Sequence, residues 1–154
     1  MTDNVLRIPK TLMPVRLWVH PEGQVIGSLY LREGDTPGAT EQPLDVLNQA
    51  NPFLVVRREN PDEIRFYNRA SVIRVDYETP AAAPAAGDTV LHCVVEMMDG
   101  SLVEGEIREV LPPEHSRLFD YLNQRDNHFI KLHTGEREVC LVNKSYIIHA
   151  RADD

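Results

Sequence analysis

The chain has 154 residues, of which 42% are hydrophobic and 26% charged, and it carries a formal net charge of −8 at pH 7. That length suits one domain or two small ones, and the composition is ordinary for a globular protein. Because binding to nucleic-acid phosphates depends on cations that displace counterions, the acidic balance disfavours a nucleic-acid partner without excluding one.

Targeting and redox signals point to the cytoplasm. The N-terminus lacks the long apolar region of a signal peptide, and no segment reaches the roughly 18 apolar residues of a membrane-spanning helix. The two cysteines, Cys93 and Cys140, both lie in the second half of the chain, with Leu17 or Trp18 and Arg65 near the matching places in the first half. A disulfide would normally appear in both halves of a duplicated module, so free thiols are predicted.

The first half of the chain reads as five short strands. Residues 1–11 are interpreted as a leader, either an edge strand or a flexible arm. Alternating apolar residues then predict two strands on either side of a turn at Pro21-Glu22-Gly23, and Gly27 falls in the middle of the second strand. A glycine inside a strand usually marks a sharp bend or a bulge.

A polar connector at 33–43 leads to a helical turn at Asp45-Val46-Leu47-Asn48. A third strand begins at Phe53, and a fourth ends at Asn68-Arg69. After a short break a fifth strand is predicted at 72–75. The first module is therefore placed at 12–78.

A Pro/Ala-rich segment at 79–88 is read as a semi-extended linker, and the second module follows at 89–150 before a charged tail at 151–154. Its first two strands flank an Asp99-Gly100 turn, a strong hairpin signal, and Gly105 lies mid-strand as Gly27 does. A second connector at 111–116 precedes a helix predicted at 117–123 with Ser116 as its cap. Strands are predicted from Phe129 and before Asn143-Lys144, and the last at 147–150.

The two halves repeat one motif. Asp45-Val46-Leu47-Asn48 matches Asp120-Tyr121-Leu122-Asn123, and twenty residues separate Asn48 from Asn68 just as twenty separate Asn123 from Asn143. A repeat that keeps this distance indicates one small fold used twice. The predicted fold is mainly β: two tandem five-stranded SH3-like or Sm-like barrels, each with a short helical turn before the third strand.

The order of these motifs resembles the Sm-like family. That family has a glycine in its second strand, an Asp…Asn signature near its middle, and a fourth strand ending in Arg-Gly, to which Asn68-Arg69 and Asn143-Lys144 are similar. The resemblance implies a small β-barrel and RNA binding. The segment Arg117-Leu118-Phe119-Asp120-Tyr121-Leu122-Asn123 also resembles bacterial proteins of unknown function, which implies no activity.

The repeated polar residues have two possible roles. Asp45, Asn48, Asp120 and Asn123 are interpreted as structural, since short Asp and Asn side chains accept backbone N–H groups and end helical turns. The second pair of motifs, Asn68-Arg69 and Asn143-Lys144, is also favoured as a turn. The alternative is a loop that presents these residues to a ligand or partner.

No catalytic, cofactor or metal site is predicted. None of the six histidines has the spacing of a metal-binding motif, and the alternative is convergence of His128, His133 and Cys140 across two strands. The acidic run with Glu104, Glu106 and Glu109 reads as a solvated face.

The sequence therefore favours a non-enzymatic protein-interaction or scaffold protein in the cytoplasm. It would associate through strand edges or through the connectors, with self-association as the simplest case. The alternative is an Sm-like RNA-binding protein that uses the Asn-Arg and Asn-Lys turns, and a small enzyme with an acidic site near Glu104 and Asp120 is a distant third.

Overall fold

The computed structural model describes residues 10–36 and 38–153, so residues 1–9 of the predicted leader, Pro37 of the first connector and Asp154 of the tail lie outside the described residues. The described residues contain two short helices, α1 (Pro43–Leu47) and α2 (Leu118–Leu122), and several single 3₁₀ turns. The strands are β1 (Lys10–Val19), β2 (Gly23–Arg32), β3 (Phe53–Arg58), β4 (Glu63–Asn68), β5 (Val72–Glu78), β6 (Thr89–Met97), β7 (Leu102–Glu109), β8 (Phe129–His133), β9 (Glu138–Asn143) and β10 (Ile147–Ala152).

The prediction of a mainly β protein is confirmed. All ten strands belong to one open antiparallel sheet in the order β10-β6-β7-β8-β9-β5-β1-β2-β3-β4. Each half of the chain repeats the same order of its own strands, with the fifth next to the first and the fourth at the far side. The halves meet where β5 pairs with β9. No helix among the described residues is long and apolar enough to cross a membrane.

Several element boundaries differ from those predicted. Strand β1 begins at Lys10, inside the predicted leader, and β5 and β10 continue to Glu78 and Ala152. The prediction that Ser116 caps the second helix is wrong, since Ser116 ends a 3₁₀ turn and Arg117 occupies the N-cap of α2. The chain therefore makes a 3₁₀ turn at Pro113–His115 and then the separate helix α2, where the sequence had predicted one helix beginning after Ser116.

The mid-strand glycines allow β2 and β7 to pass close to the next strand. A Cβ on Gly27 would lie 2.5 Å from the carbonyl oxygen of Arg57, and one on Gly105 would lie 2.7 Å from that of His133. Gly27 is paired with Val15 and Gly105 with Cys93. The equivalent of Cys93 is therefore Val15, and the expected match to Leu17 or Trp18 is wrong by two or three residues.

Replacement of Gly105 by alanine is expected to lower the free energy of unfolding by about 2 kcal/mol, because a backbone carbonyl cannot move away from the new methyl group. Urea denaturation measures the change. The matched control is Gly135→Ala, where the nearest atom is 3.7 Å away and the change should stay within about 0.5 kcal/mol. Equal stability of both variants would contradict the close approach.

The buried side chains form two hydrophobic clusters, and each crosses the boundary between the halves. The first cluster contains residues of β1–β5 together with Phe129, Val139 and Leu141 from β8 and β9. The second contains residues of β6–β9 together with Ile73 from β5. Each half therefore completes its core with side chains from the other half.

Candidate functional site

The repeated aspartates fix the starts of the two helices. The backbone N–H of Gln42 donates to Asp45 Oδ2 at 2.9 Å. In the second half, the backbone N–H of Arg117 donates to Asp120 Oδ2 at 3.4 Å and its Nε donates to the same oxygen at 3.2 Å. The Arg117 hydrogen bond holds the pKa of Asp120 below its usual range. Both carboxylates are thus engaged in local contacts at the connectors.

Asn48 and Asn123 have different contacts although they are equivalent in the repeat. Asn48 Oδ1 accepts from the backbone N–H groups of His128 at 2.9 Å and Phe129 at 2.8 Å, and its Nδ2 donates to Phe129 O at 3.3 Å. Among the described residues, Asn123 Nδ2 donates only to the carbonyl of Phe119, within its own helix. Asn48 therefore joins the two halves of the chain, a role that the sequence alone did not reveal.

Asn68 and Asn143 begin the 3₁₀ turns before β5 and β10. Asn68 Oδ1 accepts from the N–H of Ala70 at 3.0 Å, and Asn143 Oδ1 accepts from the N–H of Ser145 at 2.9 Å. Asn143 is buried and also donates from Nδ2 to the carbonyl of Val72 at 2.9 Å, across the boundary between the halves. Asn68 is exposed.

The two cations beside these asparagines point back towards the helices. Arg69 is only 6% exposed, and its Nη2 donates to the carbonyl of Val46 at 3.0 Å. Lys144 Nζ donates to the carbonyls of Leu122 at 3.0 Å and Gln124 at 2.7 Å. Desolvation lowers the pKa of both groups. Both cations therefore satisfy carbonyls at the ends of the helical turns.

The two repeated turns open into one cleft. A cavity of about 200 Å³ is lined by residues of both turns and by the start of β8, including Asn68, Arg69, His128, Asn143 and Ser145. Arg69 Nε and Nη1 have no hydrogen-bond partner within the described residues. The structure thus brings together turn residues that the sequence had placed only in equivalent positions.

The other candidate side chains do not form a recognisable site. Within residues 10–36 and 38–153 no group of three His, Cys, Asp or Glu side chains could hold a metal ion. Glu106 lies between Arg108 Nε, at 2.7 Å, and His92 Nδ1, at 3.5 Å, and Glu104 is exposed. These contacts are those of charged side chains at a sheet surface.

Both cysteines are free and buried, and burial raises the pKa of Cys93 from 9.0 to about 11. It raises the pKa of Tyr77 from 10.0 to about 12, and it also raises the pKa of Cys140. A thiol that stays protonated is a weak nucleophile. Neither cysteine is therefore activated as a catalytic group.

The raised pKa values predict loss of stability at alkaline pH. Unfolded cysteines and tyrosines release protons from about pH 9 and pH 10, whereas Cys93 and Tyr77 in the fold hold theirs to about pH 11 and pH 12. Their contribution is complete below pH 9, and the free energy of unfolding should fall as the pH rises from there to about 12. Urea denaturation along a pH series measures it. Tyr77→Phe should reduce the slope, and a flat profile would contradict the prediction.

The outer edges of the sheet carry an exposed apolar surface. Phe53 on β3 is 51% exposed, and Ile64 and Phe66 on the edge strand β4 are 55% and 70% exposed. At the opposite edge, Ile148 on β10 is also exposed. Unpaired edges with apolar side chains are surfaces that another strand can cover. The sequence did not predict this exposed surface, because apolar residues that alternate along a strand, such as Ile64 and Phe66 in β4, are equally typical of a buried core.

Comparisons of the chain with models of protein families, with curated proteins and with solved structures found no match.

Proposed function

We propose that this chain is a non-enzymatic protein-interaction scaffold, built from two tandem copies of a small SH3-like or Sm-like β-barrel, that works by edge-to-edge association of strands. The observation that carries the proposal is the junction between β5 and β9. There one half of the chain recognises the other by adding a strand to its sheet.

The junction combines backbone and side-chain contacts. Strands β5 and β9 are paired antiparallel from Arg74 with Val142 to Glu78 with Glu138. Across it, Phe129, Val139 and Leu141 enter the core of the first half. Main-chain hydrogen bonds supply affinity in such strand additions, and the alternate side chains supply specificity.

The repeat in the strand order supports two copies of one fold. Each half arranges its strands in the same order, and each half has its own hydrophobic cluster. Asp120, the aspartate of the candidate acidic site, is engaged at the start of α2, and the thiols stay protonated at neutral pH. These features favour association over catalysis as the task of the chain.

Edge variants test the proposal. Phe66→Lys and Ile148→Lys each place a charge on one outer edge, and Leu102→Lys changes a similarly exposed apolar side chain away from both edges. Tagged wild-type chain should retain a protein, either another copy or a different one, that at least one edge variant loses and the Leu102 variant keeps. A monomer that retains no protein, or a partner held equally by all four chains, would contradict the proposal.

A second candidate is Sm-like binding of single-stranded RNA at the Asn-Arg and Asn-Lys turns. In its favour, both turns line one cleft, and two guanidinium nitrogens of Arg69, Nε and Nη1, have no partner in the described part of the chain. The net charge of −8 and the engagement of Lys144 by two carbonyls oppose it. It predicts low-salt binding of labelled RNA that Arg69→Ala combined with Lys144→Ala removes. Unchanged RNA mobility at micromolar protein would reject it.

A further inference from the structure

The two outer edges of the sheet correspond to the two strands of the internal junction. Strand β4 holds the place in the first half that β9 holds in the second, and β10 holds the place that β5 holds in the first. We propose that copies of this chain associate head to tail, with β4 of one copy antiparallel to β10 of the next. The inference rests on the proposed function and names its partner as a second copy of the chain.

Apolar side chains are available for the same packing. Phe129 pairs with Asn143 as Phe53 pairs with Asn68, so the register makes Phe53, Ile64 and Phe66 the equivalents of Phe129, Val139 and Leu141. The latter three are fully or almost fully buried in the core of the other half. Their equivalents remain apolar yet at least half exposed. A next copy that seats β10 against β4 would cover them.

The packing is reciprocal. Ile73 of β5 crosses the internal junction in the opposite direction and is buried in the second cluster. Its equivalent on β10 is Ile148, which is 55% exposed. Ile148 would therefore enter the first-half core of the next copy.

Side-chain sizes at the new junction compensate one another at one pair but not at the other. Internally, Val75 faces Leu141 and Tyr77 faces Val139. The same register between copies would place Ala150 opposite Phe66 and Ala152 opposite Ile64. Phe66 is larger than Leu141 and offsets part of the loss from Val75 to Ala150, whereas Ala152 beside Ile64 leaves space that Tyr77 fills at the internal junction.

Two asparagines are free to make the remaining contacts. Asn143 donates from Nδ2 to Val72 O across the internal junction, whereas Asn68, within the described residues, uses only Oδ1. The equivalent acceptor for Asn68 is the carbonyl of Ile147 on the next copy. Asn123, whose side chain donates to Phe119 inside its own helix, corresponds to Asn48 and would accept from the N–H of Phe53.

Two like-charge pairs oppose association: Arg65 with Arg151, and Glu63 with Asp153, which are the equivalents of Glu138 and Glu78. The register places Arg65 opposite Arg151, where the internal junction has Cys140 and Asp76. Arg65 already lies 2.6 Å from Glu63, which offsets part of the repulsion. Salt screens exposed like charges, so association should be at least as strong at high salt as at low salt. This separates it from assembly driven by opposite charges.

The proposed contact joins two different surfaces, so every copy has one free β4 and one free β10. Such heterologous contacts close into a ring if the rotation between copies allows it and otherwise continue as a filament. Either product supports the inference, because both use the same junction.

Mixing of two blocked variants tests this arrangement. Phe66→Lys blocks β4 but keeps β10, and Ile148→Lys blocks β10 but keeps β4. Light scattering should show wild-type assemblies larger than the 17.5 kDa chain, whereas each variant alone should be a monomer. An equal mixture should form a heterodimer of twice that mass, because one intact junction remains. Leu102→Lys should assemble like the wild type, and circular dichroism verifies that every variant is folded.

Three results would overturn the inference. These are a wild-type chain that stays monomeric at its highest attainable concentration, assembly that only one of the two variants abolishes, and failure of the mixed variants to form the heterodimer. A monomeric wild type that still retains a different protein through an edge would reject self-association and leave the proposed function standing. A wild-type chain that neither self-associates nor retains a different protein would reject both the inference and the proposed function.

Discussion

Phe129→Ala should lower the free energy of unfolding by about 3–5 kcal/mol, the usual cost of removing a large aromatic side chain from a core. Phe129 is fully buried in the cluster of the first half although it belongs to β8 in the second half. Its loss leaves a cavity at the place where the halves meet. Since small domains are stable by only about 5–15 kcal/mol, the variant should lose a large share of its stability. Urea denaturation followed by circular dichroism measures the change.

The chain supplies its own matched control for this variant. Phe53 is the same residue at the equivalent position, but half of its side chain is exposed. In a dilute monomeric sample, Phe53→Ala should change the free energy of unfolding by no more than about 0.5 kcal/mol. Equal stability of the two alanine variants would contradict the burial of Phe129 in the core of the first half.

The sequence predicted the strands well because their signals are local. Each signal extends over only a few residues: the alternating apolar residues, the Asp99-Gly100 turn and the glycines inside β2 and β7. The structure has strands where the apolar residues alternate, and β6 and β7 flank the Asp99-Gly100 turn. Boundaries were less accurate at α2, where Arg117 rather than Ser116 holds the N-cap. Ser116 belongs instead to the preceding 3₁₀ turn, where its Oγ donates to the carbonyl of Pro113 at 3.2 Å.

The junction could not be predicted from the sequence, since pairing between distant strands leaves no local pattern. Phe53 and Phe129 begin equivalent strands with similar apolar neighbours, but one is exposed and the other buried. Asn68 and Asn143 differ in the same way, since Asn143 makes a hydrogen bond to Val72 across the boundary between the halves and Asn68 has no equivalent bond within the described residues. Identical local motifs therefore differ in their surroundings, and the difference is set by which half has a neighbour at that edge.

The difference in burial between equivalent residues of the two halves indicates a role for the repeat in association as well as in folding. Where a neighbouring half is present, as at β5 and β9, the repeated residues are used fully in packing and hydrogen bonding. Where it is absent, at the β4 and β10 edges, the apolar equivalents Phe53, Ile64, Phe66 and Ile148 are at least half exposed. Retention of apolar residues at an exposed edge carries a risk of unwanted pairing. A partner at that edge, as proposed, would remove the risk and account for these residues.

Asn48→Ala should lower the free energy of unfolding by about 3 kcal/mol, because it removes three hydrogen bonds that join the halves, at roughly 1 kcal/mol each. Two of them satisfy the N–H groups of His128 and Phe129, and the third reaches the carbonyl of Phe129. Asn48→Asp is the informative second variant, since a carboxylate can still accept from both N–H groups and should recover most of the stability.

Asn123→Ala is the control for Asn48→Ala, because Asn123 ends the equivalent helix but its side chain donates to Phe119 in that same helix. Loss of one local bond in an exposed position should cost no more than about 1 kcal/mol. Urea denaturation of the three variants in dilute solution gives the comparison. Equal losses for Asn48→Ala and Asn123→Ala would mean that both residues merely end a helical turn. A larger loss for Asn48→Ala, with recovery in Asn48→Asp, identifies the contact between the halves as the source of the stability.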